Sequence, residues 1–208
     1  LELGANDVLA VSGELCPQGD ALFRLGDGGW RLKGEARRFA AQVPFLEARV
    51  DQAAGPIDLA AKGGDLTLTA DLRSVRLTDA AKATRFRPVL AHGTARLADQ
   101  VWRGGFDLTD PAGRALAHAT LDHDGRSGVG ALNFDTGNVV FAEGGLQPSA
   151  LSPMAAAVGS PAQGQARFQG AVTWTASDSA SQGVLDVDRL DFRSAAGAVQ
   201  GLSGRVVF

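Results

Sequence analysis

Apolar and polar residues alternate with a period of two along most of this chain. In "DLTLTADLRSVRL", Leu66, Leu68, Ala70 and Leu72 fall on one face, and Thr67, Thr69, Asp71 and Arg73 on the other. "WRLKGEAR" sets Trp30, Leu32, Gly34 and Ala36 against Arg31, Lys33, Glu35 and Arg37. "RFQGAVTWTA" sets Phe168, Gly170, Val172 and Trp174 against Arg167, Gln169, Ala171 and Thr173. Successive side chains of a strand project to opposite sides, so the pattern predicts antiparallel strands with one apolar and one wet face. In "GVLDVDRLDFRS" the apolar set passes from Leu185 and Val187 to Leu190 and Phe192. The parity shift predicts a bulge at Asp188 and Arg189.

Clusters of Gly, Asp and Pro separate the runs: "LGDGG", "AAGP", "KGGD", "TDPAGR", "DHDGRSG" and "AEGG". They predict turns, and the count comes to roughly a dozen strands. Two stretches break the alternation. "LSPMAAAVGS" offers Ser152 as an N-cap, Pro153 at the first helical position and Gly159 as a stop, which predicts a short helix over 152–158. "LTDAAKATRF" offers Thr78 or Asp79 as a cap for one helical turn. No linker rich in Ser or Pro divides the chain, so 1–208 reads as one continuous sheet system. The N-terminal "LELGANDVLAV" starts inside an alternating segment, without a basic stretch leading into an apolar one, and "GRVVF" ends on a strand-like run. Both ends read as cut from a longer protein.

Composition narrows the function classes. Apolar residues make up 45% of the 208, enough for a core, and glycine is frequent at 27. Acids and bases are interspersed at a net charge of -3, so no basic stripe for nucleic acid is expected. The single cysteine, Cys16, excludes a disulfide within the chain and a cysteine zinc site, and reads as an inert thiol. No apolar run reaches the ~18 residues of a membrane-spanning helix.

The sharpest motif is "LNFDTGNVVF", which presents Asp135 as an aspartic protease presents its nucleophile-activating aspartate. That chemistry needs two carboxylates sharing one proton. The chain holds one Asp-Thr-Gly, and Asn138 stands where the protease pattern has Ser or Ala. A turn between two strands accounts for Asp135 and Asn138 better, and the hydrolase is the least favoured reading. "GRSGVG" has its glycines in the wrong order for a dinucleotide loop, and no nucleophile elbow or phosphate-binding lysine loop exists. His118 shares a strand face with Thr120 and Asp122, while His123 and Asp124 are placed at the turn. A solvated face explains them without a metal. No cofactor is expected.

From Gly130 on, the chain carries a connected set of residues: Phe141, Gly145, Leu146, Gln147, Pro148, Leu151, Ser152 and Pro153; Gly164, Gly170 and Trp174; then Leu190, Phe192, Ser194, Gly197, Gly201, Leu202, Gly204 and Phe208. On these residues it resembles the AsmA-like intermembrane bridge proteins of Gram-negative bacteria, in particular the YdbH-like branch, also described as a dicarboxylate transport domain. The resemblance implies a long, twisted antiparallel sheet curled into an open half-pipe. It implies a periplasmic protein that conducts phospholipids between the inner and outer membranes. It further implies an inner-membrane anchor outside this stretch and a small outer-membrane lipoprotein as partner. The implied role is binding and transfer, not enzymatic catalysis.

The apolar strand faces name the residues expected to line such a groove. They are Leu66, Leu68, Leu72, Leu132, Phe134, Val139, Phe141, Phe168, Val172, Trp174, Leu185, Val187, Leu190 and Phe192. Small residues on the same faces, Gly93, Ala95, Ala115, Ala117 and Ala119, leave room that a tight two-layer core would fill. The competing reading of the same alternation is a β-sandwich or β-solenoid segment of an envelope protein, in which the apolar faces are packed core.

Overall fold

The computed structural model describes residues 8–26 and 28–208. The first seven residues of the N-terminal alternating segment, and Asp27 of "LGDGG", lie outside the described residues. Thirteen strands follow in order: β1 (Leu9–Pro17), β2 (Phe23–Gly26), β3 (Gly29–Val43), β4 (Ala48–Lys62), β5 (Asp65–Asp79), β6 (Val89–Ala98), β7 (Val101–Thr109), β8 (Ala115–Asp124), β9 (Val129–Asp135), β10 (Val139–Phe141), β11 (Gly159–Trp174), β12 (Ser179–Ser194) and β13 (Gly197–Val207). A single turn of α-helix, α1 (Pro148–Leu151), and 3-10 turns at Pro44–Leu46 and Pro153–Ala157 complete the elements.

All strands belong to one antiparallel sheet, ordered β1-β3-β4-β5-β6-β7-β8-β9-β11-β12-β13, with β2 on β3 and β10 on β11. The order follows the sequence because each tight turn returns the chain beside the strand it has just left. Directly opposed residues of antiparallel strands share a face. One row therefore runs Leu32, Leu59, Leu68, Leu97, Trp102, His123, Gly130, Trp174. The next runs Gly34, Ile57, Ala70, Ala95, Gly104, Leu121, Leu132, Val172. The opposite face carries exposed cross-strand ion pairs such as Arg31–Asp58, Arg103–Asp122, Arg167–Asp135 and Arg205–Asp186.

Bulges bend the sheet across its width. The register slips between Ala36 and Phe39 on β3, between Asp51 and Ala54 on β4, and between Leu72 and Val75 on β5. Arg38 and Gln52 take positive φ there, which brings the next apolar residue back to the same face. On β12 the slip falls between Val187 and Leu190, with Arg189 at φ 47, where the parity shift predicts it. The result is an open, curled half-pipe.

Two loops four strands apart in the sheet order meet at one end of this curl. Arg87 N–H donates to the Leu151 carbonyl at 2.8 Å, and Ser152 Oγ–H donates to the Arg85 carbonyl. Arg85 continues the tie to the Leu46 and Glu47 carbonyls at 2.9 and 3.2 Å.

Local expectations are corrected in three places. The helix expected over 152–158 is a 3-10 turn: Ser152 does cap it, accepting from Met154 N–H at 3.1 Å, but Gly159 opens β11, and the α-helical turn comes earlier at Pro148–Leu151. "LTDAAKATRF" forms no helical turn, because Asp79 gives its oxygens to the N–H groups of Ala81 and Arg85 and to the Arg85 guanidinium. "AAGP" is no turn but the middle of β4, where a β-carbon on Gly55 (φ 149) would collide with the Asp71 carbonyl oxygen.

The apolar trough as candidate functional site

The residues expected to line a groove share one face of the sheet. Leu66 opposes Ala61, Leu68 opposes Leu97, and Leu72 opposes Gly93. Leu132 faces Val172, Phe134 faces Gly170, and Gly130 faces Trp174. Phe168 opposes Leu185, and Ala166 joins Val187 to Val139. Past the bulge, Leu190 and Phe192 group with Val139 and Phe141. Sequence reasoning left out Leu32, Ile57, Leu59, Leu97, Trp102, Phe106 and Leu121, which share this face. The same alternation would have found them.

Among the described residues no second layer covers the middle of the face. Among the described residues the most shielded apolar side chains are Ala162, Ala36 and Trp174, at 0, 1 and 2% exposure. Leu68, Leu72, Leu132, Phe134, Phe168, Val172, Leu185 and Val187 stay half-buried, and Leu66 is exposed. A packed two-layer core would bury such side chains almost fully. Aromatic rings lie down on the floor. A β-carbon on Gly170 would stand 2.7 Å from the Phe134 ring and 2.8 Å from the Phe168 ring, whose centroids are 5.4 Å apart. The absence of that β-carbon keeps the floor low.

The end with the meeting loops is roofed. Leu146, Leu151 and Val158 pack on the cluster of Val139, Phe141, Ala162 and Leu190. Gln147 holds the roof down: its amide brackets the Ala162 backbone, accepting from N–H at 2.7 Å and donating to the carbonyl at 3.2 Å. Val139 and Phe141, expected to point into an open groove, are buried beneath this roof.

Asp135 is engaged elsewhere. It terminates β9, and β9 and β10 do not pair with each other but lie end to end along β11. The segment between them is thus an interruption in one line of strand, not a reversal. Thr136 maintains the ladder there, its N–H donating to the Phe168 carbonyl and its Oγ accepting from Phe168 N–H at 2.8 Å. The Asp135 carboxylate accepts from both Nε and Nη2 of Arg167, from Gly137 N–H at 2.8 Å and from Gln169 at 2.9 Å. The Arg167 bonds above all hold its pKa well below the usual carboxylate range. Its hydrogen-bond partners are a guanidinium, an amide and a backbone N–H, with no second carboxylate among them to share a proton as a dyad requires.

The other candidates are placed as follows. Cys16 is a free, half-buried thiol in β1. His118 lies on the convex face, its Nδ1 2.8 Å from Asp107, and His92 stands 3.6 Å from the same carboxylate. Among the described residues no group of three His, Cys, Asp or Glu side chains could hold a metal. His123 lies within β8 and is buried on the trough face, not at the turn. Its parity with Ala119 and Leu121 carries that signal in the sequence. No described helix is long and apolar enough to cross a membrane.

A family model described as YdbH-like, intermembrane phospholipid transport protein YdbH, matches residues 17–208. The match takes in β2 to β8 as well as the stretch from Gly130. No curated protein and no solved structure matches significantly. The chain belongs to the YdbH-like family of intermembrane phospholipid transport proteins.

Proposed function

We propose that this member of the YdbH-like family forms a length of periplasmic trough along which phospholipid acyl chains pass between the inner and outer membranes. The observation that carries the reading is the single-layer sheet with one continuous apolar face whose large side chains are half-buried and uncovered. Each methylene withdrawn from water gains about 0.8 kcal/mol, and a wall of Leu, Val, Phe and Ala offers that gain without directional bonds that would stop the chain sliding. The part requires no catalytic group. In the full protein an inner-membrane anchor and a small outer-membrane lipoprotein complete the path.

The test is native mass spectrometry of the chain purified from a Gram-negative periplasm. Phospholipid is expected on the wild type. Leu132→Asp and Val172→Asp, each placing an unpaired charge on the open floor, are expected to lose it while the far-ultraviolet circular dichroism of the sheet persists. A wild type free of phospholipid overturns the reading.

A further inference from the structure

At its roofed end the trough is covered by the chain itself, and the cover has the chemistry of the cargo. Val139 opposes Ala166, and Ala166 opposes Val187, so the floor under the roof continues the apolar face that carries Phe168 and Leu185. Phe168 and Leu185 stay half-buried. Under the roof, Val139, Phe141, Ala162 and Leu190 are buried, and Leu146, Leu151 and Val158 of segment 142–158 pack on them. An acyl chain laid on this floor would withdraw the same surface from water, so aliphatic side chains and cargo compete for one place.

Segment 142–158 is held as a strap and not as a strand. It joins no sheet ladder, and its own backbone bonds close local turns: Gly145 N–H to the Ala142 carbonyl, Ala150 to Gln147, Ser152 to Pro148 and Val158 to Ala155. Its polar ties to the rest of the described residues are few. Gln147 makes two bonds to the Ala162 backbone, at 2.7 and 3.2 Å. Ser152 Oγ–H donates to the Arg85 carbonyl, and the Leu151 and Ser149 carbonyls accept from Arg87 N–H at 2.8 Å and Arg87 Nε at 3.5 Å. The other half of this clasp is fixed. The Asp79 side chain, 1% exposed, binds the Arg85 guanidinium at 2.8 Å, the same guanidinium reaches the Leu46 and Glu47 carbonyls, and Ala80 N–H donates to the Glu47 carbonyl at 2.8 Å. Met154, on the strap, is 71% exposed. A segment outside the ladder, one layer thick and tied at a handful of points, opens at lower free energy than the sheet on which it rests.

We propose that segment 142–158 is a displaceable strap that gates this end of the trough: a phospholipid acyl chain takes the place of Leu146, Leu151 and Val158 on Val139, Phe141, Ala162 and Leu190, and the strap leaves its clasp at Arg85 and Arg87. The inference rests on the lipid-trough reading and adds a gate to it. Lipid drives the exchange because it binds the floor with the strap displaced and finds no room with the strap in place. The test delipidates the purified chain, incubates it with vesicles of phosphatidylethanolamine and phosphatidylglycerol, counts bound lipid by native mass spectrometry and follows hydrogen exchange. With lipid bound, the Met154 and Arg87 amides are expected to exchange roughly three- to tenfold faster, the scale of one lost hydrogen bond, while the β4–β5 ladder is unchanged. A lock is made from Arg85→Cys and Ser152→Cys in a Cys16→Ser background, because Ser152 lies against the Arg85 backbone. Oxidised, this variant is expected to hold fewer lipids than the same variant reduced. Gln147→Ala, which loosens the strap without a lock, is expected to take up lipid roughly three- to tenfold faster than the wild type. If lipid leaves the Met154 and Arg87 amides unchanged or slows them, if the oxidised and reduced lock hold equal lipid, or if Gln147→Ala takes up lipid at the wild-type rate, the strap is a fixed wall; the proposal is overturned and the trough reading stands. A wild type that binds no lipid overturns both.

Discussion

Gly170 shows how single residues set the depth of the trough. Its missing β-carbon lets Phe134 of the neighbouring β9 and Phe168, two residues back on its own strand, lie along the floor. Gly170→Leu is expected to lift both rings, lower stability by about 1–3 kcal/mol as overpacking does, and reduce bound lipid. A denaturant midpoint and a lipid count check the two effects separately. On the convex face Asp135 makes the fold pH-sensitive. Arg167, Gly137 and Gln169 depress its pKa, so the folded state binds its proton less readily than the unfolded chain. Its contribution is fully present above the unfolded carboxylate pKa of about 4 and is lost as the pH falls below that toward the lower folded value. Asp135→Asn is expected to lower the denaturation midpoint at neutral pH and to flatten its decline in acid. The local bond from Gly137 N–H to Asp135 was legible in "DTGN", whereas the strand's continuing into β10 instead of turning back, and the engagement by Arg167, were not, because both depend on the register of β11 against β9 and β10.

At the scale of elements, the residues that carry the family resemblance have mechanical roles in the roof. Gln147 binds the Ala162 backbone, buried Pro148 starts α1, and Ser152 both caps the 3-10 turn and reaches the Arg85 carbonyl. Ser152→Ala removes two bonds at once and is expected to cost about 0.5–2 kcal/mol, the range for a lost cap. The loss should be local. Hydrogen exchange is expected to quicken at the Met154 and Arg87 amides and to stay unchanged in the β11–β12 ladder; uniform quickening would show that the roof is part of the cooperative core. The sequence signals cap and proline correctly here. They cannot tell a 3-10 turn from a short helix, because that choice is made by the contacts of Leu151 and Val158 with β10 and β12. "AAGP" misled in the opposite way. Gly55 suits a turn equally well, but in β4 it serves the close approach of β5.

For the whole molecule, the all-β class, the hairpin order and the apolar face follow from alternation and turn residues. The curl follows from bulges and from bonds between segments 85–87 and 149–152, which no local pattern announces. The bulge on β12 was legible because apolar residues flank it on both sides. Those on β3 and β4 were obscured by Ala and Gly, which suit either face. A one-layer wall also has a thermodynamic consequence. A folded protein ordinarily supplies both sides of its own interior, while this one supplies a single side, and in the proposed function the acyl chains provide the other. Cargo then counts as part of the hydrophobic core, and occupancy and foldedness become linked quantities. With free lipid at a hundredfold excess over its dissociation constant, linkage adds about 2.7 kcal/mol. For a chain of this size that is expected to raise the melting temperature by about 5–10 °C, read by circular dichroism on delipidated and reloaded protein. An empty conduit would then be the form most exposed to periplasmic proteases, so a stalled supply of lipid would shorten the life of the bridge itself.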